Sequence, residues 1–132
     1  NEDEFEDGMD STFLTAIMLW IDKLATQAVE IVYYLVTREK VRPLVAAEAL
    51  RAISLIDHDP TYRYRRELLC RSLRCSSRYV RDAGALGLAH LDDPAAIPAI
   101  RAAANNEPIP ELKQDLLQVV TQLEATERCR SC

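Results

Sequence analysis

The side chains best equipped for chemistry in this sequence are arginines. Positions 61–81 hold Arg63, Arg65, Arg66, Arg71, Arg74, Arg78 and Arg81 against a single acid, Glu67. A guanidinium stays charged at every biological pH and presents a planar fork of donors. Such a run suits the recognition of carboxylates or phosphates. At helical spacing Arg63, Arg66 and Arg74 lie near one face, while Arg71, Arg78 and Arg81 fall around the turn that follows. Tyr62, Tyr64 and Tyr79 interleave with them, and tyrosine beside arginine is the composition of a binding hot spot. Arg63, Arg66, Arg71, Arg74, Arg78, Arg81, Tyr62, Tyr64 and Tyr79 are therefore the candidate binding residues. The same run also reads as a solvated face whose arginine stems cover apolar surface. A third reading pairs it with the acidic residues 1–10.

Other reactive side chains carry weaker signals. Cys129 and Cys132 have the CxxC spacing of metal or redox pairs. A zinc site needs a second pair, and Cys70 and Cys75 point about 140° apart on a continuous helix. A thioredoxin-type motif needs a βαβ setting, which the sequence lacks. The cysteines read as two semi-buried structural thiols and a tail, with a tail disulfide as the alternative. His58 sits in Asp57-His58-Asp59, a weak metal-binding pattern at most, and His90 ends a helix, where positive charge is favourable. No phosphate-binding glycine loop, G-x-S-x-G or H-E-x-x-H is present. The expectation is a non-enzymatic protein with no catalytic residue, metal ligand or cofactor.

These residues must be positioned by helices. Gly and Pro are absent from Thr12 to Arg38, where Phe13, Ile17, Trp20, Leu24, Ala28, Ile31 and Leu35 recur at steps of four and three. That predicts a helical stripe, in one helix or two. Pro43 suits a first helical turn, and Leu44, Ala47, Leu50 and Ile53 follow as the next apolar face. Asp59 is expected to cap, and Pro60 to open, a third helix reaching about Cys75. Ser77 is expected to cap a fourth, from Arg78 to Leu91. Asp92-Asp93-Pro94 repeats the punctuation of Asp57-His58-Asp59-Pro60, with the Asp-Pro pairs 34 residues apart. Pro98 crowds the carbonyl of Pro94, so a tight turn over 94–97 precedes a helix to about Ala104. Pro110 opens a last helix with the stripe Leu112, Leu116, Val119 and Leu123.

The segments also align with each other. Ala47-Glu48-Ala49-Leu50 leading to Asp59-Pro60 matches Ala83-Gly84-Ala85-Leu86 leading to Asp93-Pro94. A period in the low thirties with two helices per unit is the mark of an α-solenoid. Ala83, Gly84 and Gly87 allow close helix approach, and apolar residues nearly all round this helix require neighbours on several sides. The carriers Val80-Arg81, Ala83, Ala85-Leu86-Gly87 and Asp92-Asp93-Pro94-Ala95-Ala96-Ile97-Pro98-Ala99-Ile100 resemble the HEAT-like repeats found in many bacterial proteins and in bilin lyases. The resemblance covers residues 79–124, is weaker over 41–78 and does not extend to 1–40. It implies an all-α fold: a short α-solenoid, or α-α superhelix, of HEAT-like helical hairpins with an N-terminal helical cap.

Composition bounds the rest. The chain has 132 residues, 28% of them charged, and a net charge of −5. One domain is expected over 11–126, after an acidic lead-in at 1–10 and before a flexible tail at 127–132. The most apolar stretch, Phe13 to Val36, contains Asp22, Lys23, Gln27 and Glu30, so it reads as a core helix rather than a membrane span. The acidic start resembles no secretory signal, which predicts a cytoplasmic location. Overall acidity disfavours general nucleic-acid binding, and the arginine block keeps it open. The leading expectation is a protein-binding module for a partner with an acidic surface, such as an inhibitor or immunity protein acting on a toxin, or an adaptor. Nucleic-acid binding and a bilin-lyase-like accessory role are the alternatives.

Overall fold

The computed structural model describes residues 12, 14–17, 19, 20, 23 and 26–131. Among these the regular structure is helical, no strand forms, and no helix is long and apolar enough to cross a membrane. Residues 1–11, Phe13, Leu24 and the side chain of Ala28 lie outside the description, so the acidic lead-in and part of the predicted first stripe do too.

Helix α1 spans Thr26–Thr37. Its buried residues are Val29, Val32 and Val36, whereas Ile31 is 45% exposed. The expected stripe through Ile31 and Leu35 is thus out of phase. Apolar side chains ring this helix, so spacing alone fits several faces and packing selects one. At its end Lys40 N–H donates to Leu35 O and Glu39 N–H to Val36 O, a closure that needs a left-handed residue. That residue is Glu39, at φ 54°. Its carboxylate accepts from the backbone N–H and hydroxyl of Ser76, which ties the turn to a distant loop and holds its pKa below the ordinary carboxylate value.

Helix α2, Pro43–Ser54, starts at the expected proline. Ala46, Ala49, Leu50 and Ile53 are buried, but Leu44 is 66% exposed, contrary to expectation. At about 100° per residue Leu44 lies roughly opposite the centre of the buried arc, and Ala47 lies at its edge. A 3-10 turn at Asp59–Thr61 leads into α3, Tyr62–Ser72. Helix α4, Arg78–Leu91, has Ser77 as its cap, with the hydroxyl oxygen accepting from Tyr79 N–H at 3.2 Å. A second 3-10 turn, Pro94–Ala96, leads into α5, Ile97–Asn106. Helix α6, Pro110–Ser131, buries Leu112, Leu116, Val119, Val120 and Leu123. It continues as helix over 127–131, which the sequence alone places in a tail. There Thr126 donates to the Asp92 carboxylate and Arg130 reaches the Asp92 carbonyl.

Three pairs of alternate helices meet: α1 touches α3, α2 touches α4, and α4 touches α6. Helix α4 lies at the centre, against α2, α3 and α6. Two glycines set its depth. A Cβ on Gly84 would stand 2.0 Å from Ser72 Oγ and 3.1 Å from Leu69 O, and one on Gly87 would stand 2.6 Å from Leu69 Cδ2. The close approach that these glycines allow is therefore to the Leu69–Ser72 side of α3.

Candidate functional site

Helix α3 carries most of the arginine block, and the block divides by burial. Arg65 is only 2% exposed and is the largest fully buried side chain. Its Nε donates to Thr61 Oγ1, and its terminal nitrogens donate to Ile53 O, Ile56 O and His58 O. Three of these acceptors are carbonyls at and beyond the end of α2, where the helical ladder runs out; Ile53 O and His58 O also accept from the backbone N–H groups of Ile56 and Thr61. Arg65 is therefore a structural fastener. Burial lowers its pKa from the ordinary guanidinium value.

The next residue points elsewhere. Arg66 pairs with Asp93 at 2.8 Å, and Tyr62 donates its phenol hydrogen to the same carboxylate oxygen at 2.7 Å. The Tyr62 ring lies beneath both guanidiniums, 5.7 Å from that of Arg65 and 5.8 Å from that of Arg66. Burial and the bond to Asp93 push the Tyr62 pKa up to about 12. Burial also pushes the Asp93 carboxyl upward, but bonds from Ala95 N–H, Arg66 and Tyr62 outweigh it and leave its pKa below the ordinary value. Arg81 is likewise engaged. It grips Glu107 through two parallel bonds of 2.8 and 3.0 Å and donates to Cys75 O and Ser76 O.

The arginines left over border a cleft. It has a volume of about 700 Å³ and runs between α3 with its trailing turn and α5. One wall holds Glu67, Cys70, Arg71 and Arg74; the other holds Ala99, Ala102, Ala103 and Asn106; the Arg81–Glu107 pair lies between. Arg71 and Arg74 are exposed and form no ion pair among the described residues. Arg71 stands 5.9 Å from the Tyr33 ring centre, and Tyr33 donates weakly to Glu67 at 3.4 Å. Burial and the Glu67 charge raise the Tyr33 pKa.

The remaining candidates are scattered around this cleft rather than in it. Arg63 and Tyr64 are exposed on α3, and Arg78 stacks over the exposed Tyr79 at 5.5 Å. The expected face of Arg63, Arg66 and Arg74 is thus split, because α3 ends at Ser72 and Arg74 belongs to the turn beyond it. Sequence reasoning missed Tyr33, Glu107 and the alanine wall. The only signal for the wall was the i, i+3, i+4 spacing of Ala99, Ala102 and Ala103.

The thiols are quiet. Burial raises the pKa of both Cys70 and Cys75, so each stays protonated near neutrality. Cys75 lies against the Val36 carbonyl at 3.7 Å. Cys129 is exposed on α6, and Cys132 is outside the described residues. His58 Nδ1 faces Thr61 Oγ1 at 2.9 Å, and among the described residues no three His, Cys, Asp or Glu side chains are placed to hold a metal ion. No family model, curated protein or solved structure matches this chain.

Proposed function

We propose that this chain is a non-enzymatic protein-binding module, built as a short α-solenoid of HEAT-like hairpins, and that the α3–α5 cleft receives an acidic segment of its partner. Support for the stacked architecture comes from two findings. Alternate helices pack together, and a 3-10 turn at an Asp-Pro pair recurs after α2 and α4.

One observation carries the binding reading. Arg66 and Arg81 are neutralised by Asp93 and Glu107, whereas Arg71 and Arg74 line the cleft and form no ion pair with a carboxylate among the described residues. Exposed guanidiniums at a concave site attract acidic groups over long range and fix their register. The protonated Cys70 thiol on the same wall favours binding over nucleophilic chemistry. Inhibitor, immunity protein and adaptor are roles that such a module fills.

The test is a charge reversal, Arg71→Glu with Arg74→Glu, in the full chain. Both side chains are exposed, so circular dichroism and melting should match the wild type. Wild-type protein should bind poly-L-glutamate at low salt, more weakly as salt rises. The double variant should lose at least about tenfold in affinity. Equal binding by both proteins overturns the reading, and tighter wild-type binding to duplex DNA than to polyglutamate would replace it with nucleic-acid recognition.

A further inference from the structure

Resting on that reading, we infer that the occupant of the cleft is an α-helix of the partner. It presents carboxylates one turn apart to Arg71 and Arg74 and small side chains to Ala99, Ala102 and Ala103. Backbone hydrogen bonding favours a helix over an extended segment. An extended peptide entering a groove needs partners for its N–H and C=O groups, usually a strand edge. No strand borders this cleft among the described residues: its walls are α3 with its trailing turn on one side and α5 on the other.

Many of the backbone groups around the cleft are also committed. At the end of α3, Leu69 O accepts from Ser72 Oγ, Cys70 O from Leu73 N–H, Arg71 O from Arg74 N–H and Ser72 O from Cys75 N–H. Cys75 O and Ser76 O accept from Arg81, whose remaining donors are held by Glu107. Asn106 donates its amide to Ala102 O, and Pro108 has no N–H. A helix satisfies its own backbone and needs none of these groups.

The two walls then fit the two faces of such a helix. Ala99, Ala102 and Ala103 follow i, i+3, i+4 spacing, so a row of short side chains runs along α5 where a partner helix approaches. Arg71 and Arg74 are separated by three residues, the spacing at which carboxylates at i and i+3 or i+4 of the partner face them.

Two peptides of about 20 residues test this, both of the same glutamate, alanine and glutamine composition with one proline each. Proline stands at the first helical position in one and at the centre in the other, where it breaks the helix. The helical isomer should bind the full chain at least about tenfold more tightly. Ala102→Leu fills the exposed alanine wall without touching either arginine, and it should cost the helical isomer a similar factor. If both isomers bind equally and Ala102→Leu changes nothing, the helix inference fails while the acidic-partner reading survives. If polyglutamate and both peptides fail to bind at low salt, the acidic-partner reading itself falls.

Discussion

The two Asp-Pro turns look alike in sequence and are held by opposite charges. In the first, Asp59–Thr61, the residue before the turn is His58, and it makes no side-chain cap. The cation Arg65 reaches back from α3 and satisfies the carbonyls of Ile53, Ile56 and His58. In the second, Pro94–Ala96, the anion Asp93 caps Ala95 N–H at 2.9 Å and gathers Arg66 and Tyr62. Proline and its neighbours thus specify the shape of the turn but not the group that satisfies its backbone. Both fasteners come from adjacent residues of α3, Arg65 for one turn and Arg66 for the other. A single helix thereby binds the end of α2 to the start of α5.

The largest test of this contrast is Arg65→Ala. It takes the donor from Ile56 O, weakens the bonding of Ile53 O and His58 O and opens a cavity, so unfolding by urea should show a loss of about 3–5 kcal/mol. Arg65→Lys should recover little, because one ammonium lacks the fork that spans Thr61 Oγ1 and three carbonyls. Full recovery by lysine would break the comparison.

Asp93→Asn should cost about 1–3 kcal/mol at neutral pH, through the cap and the charge-assisted bond to Arg66. Its pH dependence sharpens the contrast. The folded pKa of Asp93 lies below the ordinary carboxylate value, so its stabilisation is present above about pH 4 and fades as acid protonates the folded form. The stability gap between wild type and Asp93→Asn should therefore close in acid. The gap for Arg65→Ala should persist through the same range, since a guanidinium does not titrate there. A gap for Asp93→Asn that stays constant down to about pH 2 would contradict this.

The smallest effect belongs to Asp59→Ala, expected within about 0.5 kcal/mol of wild type in the same denaturation experiment. Asp59 occupies the turn and makes no cap, whereas Asp93 precedes its turn and does. A loss comparable to that of Asp93→Asn would show the two turns to be equivalent after all.

Where punctuation residues act locally, the fold was legible. Pro43, Ser77, the Asp93-Pro94 pair and Pro110 mark helix starts because a fixed φ, a missing N–H or a capping oxygen works within one turn of chain. Phase was less legible. Ile31 and Leu44 belong to apolar patterns, but several faces satisfy those patterns and only the arrangement of neighbours selects among them. The candidate site was legible as a composition and not as a geometry. Seven arginines in 61–81 are obvious, yet which are fasteners depends on Glu107, Asp93 and the carbonyls of α2, all remote in sequence. Arg65 in particular sits amid six other arginines, set apart by its place three and four residues before the buried Leu68 and Leu69.

Trp20 is the single tryptophan, and it lines an apolar groove with Ile17, Val32, Val36 and Val45, at the opposite end of the chain from the α5–α6 pair. Its indole emission therefore reports the wetting of one end of the molecule, while helical ellipticity averages over the whole. Followed together during heating, the two signals will trace one curve if the helices melt as a unit. They will separate if the region around Trp20 and α1 lets go first.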